Sequence, residues 1–160
     1  MKKARLLFTE ICNRNCAGCC NKNWTGAQPK EITFEELLEF DEINITGGEP
    51  MLYPDELIEL ITKLKFHKKT IFLYTALPLP LHSFYHIIAI IDGVSLTLHN
   101  WKDYRIFKYF NLDKIQAPGK QLRLNTFPKI KFKSTIWDVR PKHWIKDCPL
   151  PAGEILVKLK

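Results

Sequence analysis

Short apolar segments typical of strands alternate with segments typical of helices from the first residues to about residue 110, and this alternation limits the fold most strongly. Consecutive β and α segments of this kind predict parallel βα units joined by right-handed crossovers. A closed barrel of eight such units needs roughly 250 residues, and the chain has 160. We therefore expect an α/β fold, a partial and open TIM-like barrel of about five or six βα units, as a single domain over residues 1–160.

Hydrophobic patterns and turn residues place the individual elements. Strands are predicted at residues 4–9, 42–46, 70–75, 94–98, 122–127, 135–139 and 154–159, and helices at 33–40, 54–64, 80–91 and 103–110. The first helix begins at a capping-box pattern, Thr33-Phe-Glu-Glu36, and Pro54 suits the first turn of the second helix. Residues 10–30, which are rich in Cys, Asn, Gly and Lys, are predicted to form a loop.

Positive charge is concentrated towards the end of the chain. The net charge is +7, yet residues 101–160 alone carry 14 basic and five acidic side chains. The basic, helix-poor portion 111–160 is either an ordinary solvated surface or a face for an acidic protein, an anionic substrate or nucleic acid. Nucleic acid is the least favoured of these because no nucleic-acid-binding motif accompanies the charge. The sequence contains no apolar stretch long enough for a membrane span and no secretory signal, so we expect a cytoplasmic protein without membrane attachment.

The segment Cys12-Asn-Arg-Asn-Cys16-Ala-Gly-Cys19 places three thiols in one short loop after the first predicted strand. Thiolates are soft ligands that suit iron–sulfur clusters and zinc. Three thiolates can hold three irons of a cubane and leave the fourth iron open, which is the arrangement of a reactive site. A closed zinc site would need a fourth ligand, for which Cys20 or Cys148 is available, and a disulfide is disfavoured in the cytoplasm.

The CxxxCxxC spacing at the end of a first strand resembles the signature of the radical SAM superfamily. A second motif, Gly47-Gly48-Glu49-Pro50, follows the second strand and resembles the GGE motif of the same family. The resemblance implies that Cys12, Cys16 and Cys19 bind a 4Fe–4S cluster and that S-adenosylmethionine (SAM) occupies its open iron. It also implies that Gly47, Gly48 and Glu49 contact the methionyl amino group of SAM. Gly18 departs from the family, which often has an aromatic residue there.

Further candidates lie where later strands end. Active sites of parallel barrels are built at the carboxyl ends of the strands, which points to Thr75, Ser95, Thr97, His99 and Asn125. The last four are expected to bind the cofactor. The family often places a hydroxyl or amide group on the fourth strand near the ribose and carboxylate of SAM. For His99, an ordinary packing or surface role is the alternative to a hydrogen bond with SAM or substrate.

The resemblance implies that the cluster, reduced by an external one-electron donor such as flavodoxin or ferredoxin, cleaves SAM to a 5′-deoxyadenosyl radical that abstracts hydrogen from a substrate. Residues 16–25, Cys-Ala-Gly-Cys-Cys-Asn-Lys-Asn-Trp-Thr, are similar to a segment of the activating proteins of anaerobic ribonucleotide reductase, which implies a large protein substrate of the glycyl-radical type. The alternative is an anionic small molecule, as in the compact 7-carboxy-7-deazaguanine synthases. A third possibility, from a different class, is a non-catalytic iron–sulfur module for electron transfer.

Overall fold

The computed structural model describes residues 1–16, 18–19, 28–127, 130–143 and 149–160. This part of the chain forms one parallel sheet with α-helices and two short 3₁₀ turns, Pro50–Leu52 and Leu112–Lys114. The strands are β1 (Lys3–Thr9), β2 (Lys30–Ile32), β3 (Glu42–Gly47), β4 (Thr70–Thr75), β5 (Gly93–Leu98), β6 (Gln121–Thr126), β7 (Asp138–Pro141) and β8 (Glu154–Leu159). The helices are α1 (Phe34–Leu37), α2 (Pro54–Phe66), α3 (Leu81–Ile90) and α4 (Trp101–Tyr109).

The sheet has eight strands in the order β2-β8-β1-β3-β4-β5-β6-β7, and every neighbouring pair is parallel. It is open, with β2 and β7 at its edges. The α/β prediction and the parallel strands are thus confirmed. The sheet has one strand more than predicted, because Lys30 was expected to be loop and residues 31–32 were assigned no element, whereas all three form β2 beside β8.

The two faces of the sheet differ in chemistry because successive side chains of a strand point to opposite sides. On one face, apolar side chains such as Ile45, Leu73 and Leu96 pack with helix residues in a single core; the helix contributions include Leu57, Ile61, Phe84, Ile87 and Phe107. Burying each such side chain contributes roughly 1.5–3 kcal/mol. The other face, which we call the polar face, carries Arg5, Asn44, Tyr74, Ser95, Thr97, Arg123 and Asn125. The functional groups therefore collect on the face opposite the helices.

Two element boundaries differ from the predictions for local reasons. The α1 capping box is confirmed, with Thr33 and Glu36 each bonding the other's backbone N–H. The helix ends at Leu37, short of the predicted residue 40, because the amides of Glu39 and Phe40 donate to carbonyls only three residues back. The strand predicted at 135–139 begins only at Asp138, since the Ser134 hydroxyl accepts from the amides of residues 136 and 137 and holds a turn there.

The last third of the chain completes the sheet. Within the described part of residues 111–160, the regular elements are β6, β7, β8 and one 3₁₀ turn. Trp137 fixes the approach to β7, because its buried indole N–H donates to the Leu112 carbonyl at 2.8 Å. Across the described residues, the helices are too short or too polar to cross a bilayer.

Candidate iron–sulfur and cofactor site

Three cysteines border one small cavity. Cys12, Cys16 and Cys19 are free thiols that line a space of about 170 Å³ together with residues at the ends of β3, β4 and β5. Burial, and then the neighbouring Cys19 thiol, raise the pKa of Cys16, a cost that positively charged iron would offset. Among the described residues, no three His, Cys, Asp or Glu side chains converge on a single metal ion. Thiols spread around a cavity fit a cluster in which each thiolate binds its own iron.

The double glycine holds the start of the cysteine loop. The Gly48 amide donates to the Thr9 carbonyl at 2.5 Å, and the Glu49 amide donates to the Ile11 carbonyl at 2.8 Å. A Cβ on Gly48 would lie 1.9 Å from that Ile11 oxygen, and a Cβ on Gly47, whose φ is +138°, would lie 2.4 Å from the Thr9 oxygen. Both positions therefore require glycine because the chain's own backbone, immediately before Cys12, approaches them closely.

Glu49 ties the ends of two strands together. Its side chain is 2% exposed, and its carboxylate accepts hydrogen bonds from the Met51 amide, the Thr75 hydroxyl and the Ala76 amide. Burial raises the pKa of Glu49, although these hydrogen bonds oppose the change. A carboxylate offers about four acceptor positions, so three bonds leave about one for a ligand in the cavity that Glu49 borders.

Arg14, which lies between Cys12 and Cys16, anchors the middle of the cysteine loop. Its guanidinium donates to both carboxylate oxygens of Asp103 at 2.8 Å and to the Ala76 carbonyl at 3.0 Å. Asp103 also accepts from the His99 amide, and Asn100 caps the helix in which Asp103 lies. The hydrogen bond to Asp103 is the main reason why the pKa of Arg14 is raised. The loop that carries the thiols is thus fixed to β4 and α4.

His99 lies against one of the thiols. Its Nε2 is 3.6 Å from the Cys16 sulfur, and its ring stacks on Phe127 with 5.3 Å between centroids. Arg14 Nη1 is 3.4 Å from Nδ1 of His99. A guanidinium can only donate, so a hydrogen bond from Arg14 requires Nδ1 to accept; in that tautomer the ring proton is on Nε2, beside the sulfur. Burial, and secondarily the charge of Arg14, lower the pKa of His99, which favours this neutral form.

The predicted site residues separate into two groups. Gly47, Gly48, Glu49, Thr97 and His99 all line the cysteine cavity. Ser95 instead lines a larger neighbouring cavity on the polar face. Asn125 borders neither space but donates to the hydroxyls of Ser95 at 2.9 Å and Thr97 at 3.3 Å, so it positions both side chains.

Sequence reasoning missed several residues that build the site. Arg14, Asp103 and Tyr74 carried no motif signal; the one local hint was the position of Arg14 between two cysteines. Thr75 was a candidate because it ends a strand, but its hydrogen bond to Glu49 was not predicted. The alternative thiolates Cys20 and Cys148, and the stretch 20–27 that includes Trp24, lie outside the described residues.

Comparison with known proteins identifies the family. The family model described as "4Fe-4S single cluster domain" matches residues 3–97, which run from the start of β1 almost to the end of β5. This stretch contains the cysteine loop and the Gly47–Glu49 segment and covers more than half of the chain. No curated protein matches the chain. The chain belongs to the family of 4Fe-4S single cluster domains and is an iron–sulfur cluster-binding protein.

Proposed function

We propose that the protein is a radical SAM enzyme. The observation that carries this proposal is the convergence of the three cysteines, the Gly47–Glu49 segment, Thr97 and His99 on one cavity. The 4Fe-4S single cluster domain occurs in radical SAM-type proteins, which agrees with it. The run β1-β3-β4-β5-β6-β7, in which each strand neighbours the next along the polar face, would serve as the open, truncated barrel of such an enzyme.

Five side chains of the cavity have specific roles in this proposal. Cys12, Cys16 and Cys19 would hold three irons of the cluster. When bound, the cluster would supply the single electron that breaks a carbon–sulfur bond of the SAM sulfonium. Glu49 would accept from the methionyl amino group through its remaining lone pair, since its other acceptor positions are used within the chain. The Thr97 hydroxyl would donate its hydrogen to the ribose or the carboxylate of SAM, because its oxygen already accepts from Asn125.

A partner protein would suit the exposed rim of the site. Ile11 is 58% exposed and directly precedes Cys12, and Trp101 is 52% exposed and follows shortly after His99. Exposed apolar side chains beside a reactive site favour contact with another protein. In the activase-like version of the proposal, that partner is a glycyl-radical-type protein that covers the site and excludes water. A flavodoxin- or ferredoxin-like reductant in the cytoplasm would deliver the electron.

A small-molecule substrate is the second candidate. It is favoured by the larger cavity on the polar face, which shares Tyr74 with the cysteine cavity. This neighbouring space would let a small anionic substrate meet the radical within one chain, as in the 7-carboxy-7-deazaguanine synthases.

The test is anaerobic reconstitution of the full chain with iron and sulfide, followed by SAM and dithionite. We expect 5′-deoxyadenosine by mass spectrometry from the wild type and from C20A, and none from C12A, C16A or C19A. If the loaded wild type forms no 5′-deoxyadenosine, the radical SAM proposal fails, which favours the alternative of a non-catalytic iron–sulfur module. Addition of a candidate glycyl-radical protein, with electron paramagnetic resonance (EPR) as the readout, then tests the activase-like version.

A further inference from the structure

A second, larger cavity lies on the polar face of the sheet. Its volume is about 680 Å³, within the range of small-molecule sites. Ser95, Arg123 and the rings of Phe72 and Tyr74 form part of its wall. Tyr74 also borders the cysteine cavity, so the two spaces are neighbours on one face.

The charges around this cavity are mostly neutralised in pairs. Each acidic side chain on its wall has a basic partner: Arg5 with Glu154 at 2.5 Å, Lys3 with Glu42 at 3.0 Å, and Arg140 with Asp138 at 2.6 Å. Two basic residues of the wall, Lys120 and Arg123, have no acidic partner among the described residues. Lys120 donates a hydrogen bond to the Ile91 carbonyl at 2.6 Å. The cavity therefore has an excess of positive charge.

Arg123 is the residue whose bonding capacity is unused. It lies on β6 between Ser95 of β5 and Asp138 of β7 in the register, but the Asp138 carboxylate bonds Arg140. Within the described part of the chain, Arg123 forms no ion pair, and its buried Nε has no hydrogen-bond acceptor. A buried donor without an acceptor is costly. A planar guanidinium normally meets a carboxylate or phosphate through two parallel hydrogen bonds.

We propose that this cavity binds a small molecule bearing a carboxylate or phosphate group, with Arg123 as its principal contact. The anion would supply the acceptor that Arg123 Nε lacks, and the Ser95 hydroxyl beside it would add a neutral hydrogen bond. The rings of Phe72 and Tyr74 would pack against the rest of the molecule. That this ligand is the substrate of the radical reaction rests on the proposed function; that the site binds anions does not.

The experiment is isothermal titration calorimetry of the reconstituted full chain, with inorganic phosphate and with benzoate as probes. We expect at least one probe to bind wild type with a Kd below about 1 mM. The variant R123Q should bind it about 10- to 100-fold more weakly, because it loses charge-assisted hydrogen bonds. The matched control is R105Q, which removes the same charge from an exposed position of α4 and should bind like wild type. Absence of binding to wild type, or equal binding by R123Q, overturns the proposal.

A folding defect in R123Q would not end the test. If R123Q does not unfold cooperatively on heating, the affinity of R123K is measured instead. Lysine keeps the charge but cannot form two parallel hydrogen bonds. Its affinity should fall at least about threefold, and unchanged affinity overturns the proposal. Measuring 5′-deoxyadenosine on the same samples separates the two claims. Anion binding without SAM cleavage removes the enzymatic function and leaves the anion site, whereas SAM cleavage without anion binding overturns the anion site alone.

Discussion

Arg14 of the cysteine loop and Asp103 of α4 form two parallel hydrogen bonds of 2.8 Å across 89 positions of the sequence. The Asp103 side chain is 6% exposed, so removal of Arg14 would leave a buried carboxylate without its cation. The pair thus links the position of the thiols to the integrity of the fold.

We predict that R14Q destabilises the chain by about 3 kcal/mol, because breaking one side of a buried ion pair leaves an uncompensated charge. Urea unfolding followed by circular dichroism measures the effect. The control R105Q, exposed on the same helix as Asp103, should stay within about 0.5 kcal/mol of wild type. If R14Q is as stable as the control, the pair does not hold the loop.

His99 should tune the cluster through sulfur. Its Nε2 points at Cys16 Sγ, and an N–H donor to a cluster sulfur stabilises the additional electron of the reduced state. We predict that H99F, which can keep the stack on Phe127, lowers the midpoint potential of the cluster. A redox titration followed by EPR gives the value, and H86F at an exposed position is the control. Equal potentials for H99F and wild type would show that His99 donates no hydrogen bond to the sulfur.

Gly48 should tolerate no side chain. Its Cβ would meet the Ile11 oxygen at 1.9 Å, so G48A must displace the backbone that leads into Cys12. We predict a loss of about 3 kcal/mol in stability and a loss of bound iron after reconstitution. The control is G119A, which has open space but a φ of +74° and should cost about 1–2 kcal/mol while retaining full iron. Full iron content in G48A would contradict the role given to this contact.

Glu49 should make stability fall as pH rises. Burial raises its pKa above the ordinary 4.5, so between that pH and the raised value the folded chain holds a proton that the unfolded chain has lost. In that pH window the free energy of unfolding decreases as the pH rises. The total decrease is about 1.4 kcal/mol for each tenfold by which folding raises the proton affinity of Glu49.

Unfolding of the cluster-free chain at several pH values measures this effect. We predict that the free energy of unfolding of wild type minus that of E49Q decreases from pH 4.5 upward, because glutamine has no proton to lose. A difference for E49Q that does not change with pH would mean that burial does not govern this carboxyl group.

Local patterns predicted much of the fold. Strands β4 and β8 have the predicted bounds because their apolar residues alone identify them. β2 was missed because Lys30–Ile32 contains two charged residues and becomes a strand only by pairing with β8, a partner more than a hundred residues away. Tertiary pairing of this kind leaves no periodicity in the sequence.

The residues of the candidate site were likewise predictable only in part. The cysteines and glycines could be found because their spacing lies within one loop each. The bond between Arg14 and Asp103 could not, because each residue alone resembles an ordinary surface charge and the sheet topology brings them together. The glycines were expected to admit a ligand, yet in the structure the backbone of Thr9 lies against Gly47 and that of Ile11 against Gly48. The pattern predicted the close approach but not which atoms make it.

The proposed function requires that the cluster held at Cys12, Cys16 and Cys19 has an open iron at which SAM binds, beside Glu49. EPR spectra of the dithionite-reduced, reconstituted chain with and without SAM measure this binding. We predict that SAM changes the spectrum of the reduced cluster in wild type and in C20A. A spectrum that SAM leaves unchanged, in a sample whose iron content shows a full cluster, would contradict SAM binding at the cluster.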